Sequence, residues 1–151
     1  MPAENPAGRE HPLRLAPLGV RLMSLAYEGV LLFAILFVAS YLFLSLARDA
    51  QSGLPRLAFQ VYLFAVCGAY FVFCWVRSGQ TLPMKTWRIR LVTERGHSLA
   101  AGRALLRYLL AFPGTLSGLG VLWALFDRDR QFLHDRLAKT RIVRAEKQSA
   151  E

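Results

Sequence analysis

RLMSLAYEGVLLFAILFVASYLFLSLA, residues 21–47, decides the class of fold. One basic residue stands at its start, one carboxylate at Glu28, and no other charge interrupts it. Residues 29–47 alone supply 19 uncharged positions, enough for a helix that crosses ~30 Å of hydrocarbon. Over residues 22–47 the helix would run to about 39 Å at ~1.5 Å per residue, so there is slack at its ends. Tyr27 is of the type found at membrane interfaces, which places Glu28 shallow, near the edge of the bilayer. Arg21 and Glu28 lie two turns apart on one helix face. An ionisable group in such a span is a candidate site whose partner must be named, and here the expected pair is Arg21 with Glu28.

The rest of the chain fits the same class. Its 151 residues are 54% hydrophobic with mean hydropathy +0.31, and the apolar residues are gathered into three blocks with the charges between them. That distribution describes a small multi-pass membrane protein. The net charge of +9 is expected to meet anionic lipid head groups rather than nucleic acid, since basic segments flank the spans and no nucleic-acid-binding motif is present. Cys67 and Cys74, seven apart on one helix, are too distant for a disulfide.

Residues 1–18, with four prolines and four charged residues, read as a disordered tail. They lack the uninterrupted apolar core of a signal peptide, so the first span is expected to serve as the insertion signal. RDAQSGLPR, residues 48–56, is a short turn that Gly53 and Pro55 should break. The second span is expected over residues 57–76, with Gln60, Tyr62 and Tyr70 as polar handles and Trp75 as an interface anchor. The short connection makes the two spans an antiparallel hairpin.

After a turn at Ser78-Gly79-Gln80, WRIRLV at residues 87–92 alternates with period two, as a half-exposed strand does. Thr93-Glu94-Arg95-Gly96 turns it, and Ser98 is placed to cap a helix from about Leu99. KTRIVR, residues 139–144, is the other short β-like run and the expected partner for residues 87–92. The third apolar block, residues 108–126, contains FPGTLSGLG, which favours a broken or re-entrant segment.

Charge counting sets the expected topology. Lys and Arg number three up to Arg21, two in the first loop, seven over residues 77–107 and seven in the C-terminal segment. Three full spans divide them ten against nine. Two spans with a re-entrant third block divide them seventeen against two, in keeping with the positive-inside rule. The fold expected is therefore all-α: two transmembrane helices in a hairpin, a re-entrant third segment, and a β pairing of 87–92 with 139–144 at the cytoplasmic surface. Three full transmembrane helices are the alternative. The membrane domain covers residues 19–144, with a C-terminal tail over 145–151.

Several pieces of the chain fall into a familiar arrangement: Arg21 with a carboxylate seven residues on, Gly79-Gln80-Thr81 after the second span, Arg103 and Arg107 before the third block, and Leu125-Phe126-Asp127 leading into LHDRLAKT, residues 133–140. Over about residues 18–143 the chain resembles the RDD family of bacterial membrane proteins. The resemblance implies that the arginine and two aspartates behind the family's name fall on Arg21, Glu28 and Asp135. Glutamate stands here where aspartate is usual, and Pro83-Met84 replaces a Gly-Lys pair. Transport of unspecified ligands is what the resemblance implies for function, and a bacterial inner membrane for location; the Lys and Arg count places the N-terminus on the cytoplasmic side.

Arg21, Glu28 and Asp135, with Arg103, Arg107, His134 and Arg136 as a supporting interfacial cluster, form the candidate site. Arg21–Glu28 and Arg107–Asp135 are its expected pairings. His97 and His134 with Asp135 match no standard metal spacing and have no nucleophile beside them, and no Walker loop, GxSxG or HExxH is present, so neither enzymatic activity, nor a cofactor, nor a metal is expected. Two functions remain. One is a non-enzymatic accessory module assembling with itself or another membrane protein, with Gly114 and Gly118 available for helix contacts. The other is an oligomeric transport component for an ion or small solute, proton- or cation-coupled, with its path at Glu28.

Overall fold

In α1 (Leu18–Ala47) the arrangement of an ordinary globular helix is turned inside out. Its buried residues are Arg21, Ser24, Glu28 and Ala39, while Phe33 is 73% exposed and Leu46 79% exposed. Apolar side chains on that scale are stable only in apolar surroundings. α2 (Gly53–Arg77) has the same character, with Leu54, Leu57, Val61 and Phe73 exposed. Both helices are long and apolar enough to cross a membrane. The computed structural model describes residues 14–47 and 53–145; most of the expected N-terminal tail, the turn at 48–52 and the tail over 146–151 lie outside them.

α2 starts earlier than expected because Pro55 opens the helix. In the first turn the missing N–H of proline removes no helical bond. The two long helices meet at separate levels. Phe43 of α1 packs on Phe59 and Tyr62 of α2 at ring distances of 5.1 and 5.2 Å, and Glu28 meets Tyr70.

The third apolar block is broken. α4 (Ala101–Leu116) and α5 (Leu119–Phe126) are bent by 90° from each other. Gly118, at φ 73°, supplies the left-handed step between them. Gly120 then packs on Gly114, where an added Cβ would lie 3.0 Å from the Gly114 carbonyl carbon and oxygen. The pair expected to serve helix association is therefore used differently. Gly114 packs inside the bend, and Gly118 sits at its break rather than on a shared helix face. At the start of α4 the cap position is Ala100, with no side-chain cap, so Ser98 does not play the part assigned to it.

Two short helices and two strands complete the fold. α3 (Leu82–Thr86) and α6 (Leu133–Leu137) lie just before β1 (Ile89–Thr93) and β2 (Thr140–Arg144). The strands pair antiparallel, Ile89 opposite Arg144 and Thr93 opposite Thr140. The expected pairing is present, shortened at each start. Trp87 closes α3, and Arg88 and Lys139 have positive φ. Part of the supposed tail belongs to this layer. Leu15 bridges to Val143, and the N–H of Ala16 donates to Ile142 at 3.0 Å.

The core lies under the strands, where Ile89, Leu91 and Ile142 meet Ala16, Leu99, Ala104, Tyr108 and Phe132. Trp75, near the end of α2, is also in this core at 4% exposed, its ring covered by Phe71 and Arg107 rather than free to anchor on lipid.

Candidate functional site

Glu28 sits on the polar face of α1, facing the end of α2 and the start of α3. Tyr70 Oη donates to its Oε1 at 2.8 Å, and Thr81 Oγ1 donates to its Oε2 at 2.5 Å. The expected Arg21–Glu28 ion pair does not form. Two turns of helix separate the residues by about 10 Å along the axis, and each finds other partners nearer to hand. The guanidinium of Arg21 lies 5.5 Å from the centre of the Phe132 ring, and its Nε has no hydrogen-bond partner.

Thr81 reaches Glu28 because the residues before it fix the chain. Gly79, at φ 68°, passes so close to β1 that an added Cβ would meet the Leu91 carbonyl oxygen at 2.8 Å. Its carbonyl accepts from the Leu91 N–H at 2.7 Å, and Gln80 Nε2 donates to the Ile89 carbonyl at 2.7 Å. Thr81 caps α3 and is fully buried. Gly79-Gln80-Thr81 therefore ties the end of α2, the strand layer and the Glu28 carboxylate together.

Arg107 and Asp135 form the second expected pair, and this one is present. Nη2 and Nε of Arg107 lie 2.6 and 2.8 Å from Asp135 Oδ1, with both side chains almost wholly buried. The Arg107 guanidinium also lies 4.2 Å from the centre of the Trp75 ring, so the cation is held between a carboxylate and an aromatic face. Asp135 is positioned by α6, and Thr140 Oγ1 donates to its backbone carbonyl at 3.3 Å.

His134 stacks on Phe132 at 5.5 Å, with Nε2 3.7 Å from Asp135 Oδ1. Burial lowers its pKa to about 4, against the pull of Asp135, so the imidazole is neutral at pH 7. The remaining two predicted residues stand apart. Arg103 is exposed and lines a separate pocket with Glu94, Arg95, His97 and Lys139. Arg136 is exposed and pairs with Asp127. Burial works to raise the Asp127 carboxyl, yet the Gln131 N–H and Arg136 together hold it below the usual range.

Arg21, Glu28, Arg107 and His134 all border one cavity of about 490 Å³ between α1, α2 and α4. Tyr70, Thr81 and the ring of Phe132 complete the cluster and were not among the predicted site residues. Tyr70 was visible only as a polar handle in a span, and Thr81 only as part of the turn motif. Among the described residues no group of three His, Cys, Asp or Glu side chains is placed to hold a metal.

No curated protein and no solved structure matches the chain. The sequence profile of the RDD family matches residues 15–139, a span that contains α1 to α6 and every charged residue of the cluster. The chain belongs to the RDD family.

Proposed function

We propose that this protein is a non-enzymatic assembly module of the bacterial inner membrane. Its N-terminus and both basic segments are cytoplasmic, and its partner is a second copy or another membrane protein. The observation that carries the reading is the internal commitment of its buried carboxylates. Both oxygens of Glu28 accept from hydroxyls of α2 and the turn before α3, and Asp135 accepts from Arg107 through Oδ1, its Oδ2 having no partner. Groups engaged in this way lock helices together. The antiparallel hairpin is supported by two contacts: Phe43, late in α1, meets Phe59, early in α2, while Glu28, early in α1, meets Tyr70, late in α2. The re-entrant third block is supported by the β1–β2 pairing, since three full spans would put the two strands on opposite faces of the bilayer.

The second reading is an oligomeric transport component, favoured by the cavity that reaches Glu28. Glu28→Gln separates the two. Loss of the cross-linked oligomer or partner complex, with no change in cation flux into proteoliposomes, supports the assembly module. Intact assembly with abolished ion-linked flux overturns it in favour of transport.

A further inference from the structure

We infer that the cavity between α1, α2 and α4 holds one acyl chain of an anionic phospholipid, with the phosphate against Arg21. Its volume of about 490 Å³ is within the ~300–1,000 Å³ of small-molecule sites. Beyond Glu28 its walls are mostly apolar, with Leu32 and Leu36 on one side and Phe112 and Leu116 on the other, while Arg21, Glu28, Arg107 and His134 line its other end. Phe112 and Leu116 are themselves exposed, so the mouth opens on the apolar surface of the molecule, where bilayer lipid enters sideways. From Arg21 to Leu36 the groove follows α1 for about 22 Å at ~1.5 Å per residue. That exceeds the ~15 Å depth of one leaflet, half of a ~30 Å core.

The charges at its closed end call for an anion. Arg21 is 3% exposed, and its Nε has no partner. The carboxylates that act on it are Asp135 and Asp127, and each is already engaged by another arginine, Arg107 and Arg136 respectively. Three guanidinium groups thus share two carboxylates; Arg107 takes only Oδ1 of Asp135, and Oδ2, also without a partner, is not within hydrogen-bond reach of Arg21 Nε. His134, at the same end, also leaves Nδ1 without a partner. Glu28 does not compensate Arg21, because its two oxygens are taken by Tyr70 and Thr81 two turns further along α1. A phosphodiester supplies acceptors suited to a buried guanidinium, and its acyl chain fills the apolar length that a free phosphate would leave empty.

Trp75 borders the cavity and reports its occupancy. The full chain, with Trp87→Phe and Trp123→Phe, is placed in phosphatidylcholine vesicles containing phosphatidylglycerol brominated near the head of its chains. The expected result is quenching of Trp75 at about a tenfold lower mole fraction than brominated phosphatidylcholine requires, the order of one charge-assisted contact. Arg21→Gln abolishes this preference. Gly29→Phe, at a position with open space around it, fills the groove and abolishes quenching by either lipid. Equal quenching by the two lipids overturns the inference. So does quenching by brominated palmitate as strong as by phosphatidylglycerol, which transfers the site to free fatty acids. Should Arg21→Gln fail to fold, a preference for phosphatidylglycerol that survives in Gly29→Phe overturns it equally.

Discussion

Tyr70 and Thr81 each donate to one oxygen of Glu28, so deleting either hydroxyl strands a buried acceptor. Thr81→Val is expected to destabilise the protein by about 1–3 kcal/mol, read as a lower midpoint of thermal unfolding in detergent, and Tyr70→Phe acts in the same direction. Asp135→Asn leaves Arg107 charged and buried, for which about 3–5 kcal/mol is expected. Arg107→Lys keeps the charge but loses part of the stability, because an ammonium lacks the planar face that lies over Trp75. His134 adds a pH dependence. Its pKa falls from 6.5 to about 4 on folding, so between those values the unfolded chain binds more protons than the folded one. Stability therefore rises with pH across that window, and the contribution lost on acidification begins near pH 6.5 and is complete below about 4. His134→Asn should flatten the unfolding midpoint between pH 7 and pH 4.5 relative to wild type; an unchanged slope would assign the titration elsewhere. At this scale the sequence disclosed the charged residues but not all of their partners. Arg107–Asp135 followed from opposite charge alone. Glu28 went to two neutral hydroxyls, and charge complementarity carries no signal for those.

At the level of elements, the two glycine contacts do most to shape the chain. Gly120→Val places a branched side chain where even a Cβ is 3.0 Å from the Gly114 backbone, so the bend between α4 and α5 must open. Gly79→Ala meets both a positive φ and the Leu91 carbonyl at 2.8 Å, and parts α2 from β1. Each is expected to destabilise by more than about 1 kcal/mol. Gly102→Ala, with open space around it in α4, should instead be neutral or stabilising by up to about 1 kcal/mol. Comparable losses at all three positions would contradict the account. The spans and the strand pairing were legible in the sequence because length, hydropathy and period-two alternation are strong local signals. α3 and α6 were not, since five residues give no periodicity to read. The Arg14–Ala16 segment was read as tail for a similar reason. Its pairing with β2 is made by backbone hydrogen bonds, and the side chain it buries in the core, Ala16, is too small to stand out in the sequence.

For the whole molecule, the inside-out face of α1 joins a membrane location to a charged interior. Arg21, Ser24 and Glu28 are buried against protein while Val30, Phe33 and Phe37 face outward. The strand layer is built from residues on both sides of the third apolar block, and the proposed re-entrant path would return that block to the face from which it set out. The most direct test labels single cysteines at Ser52, Ser78 and Ala145, in a chain with Cys67 and Cys74 replaced, using a membrane-impermeant thiol reagent on sealed vesicles of one orientation. Ser78→Cys and Ala145→Cys are expected to react from one side and Ser52→Cys from the other. Ala145→Cys reacting together with Ser52→Cys would mean three full spans, and would contradict the account.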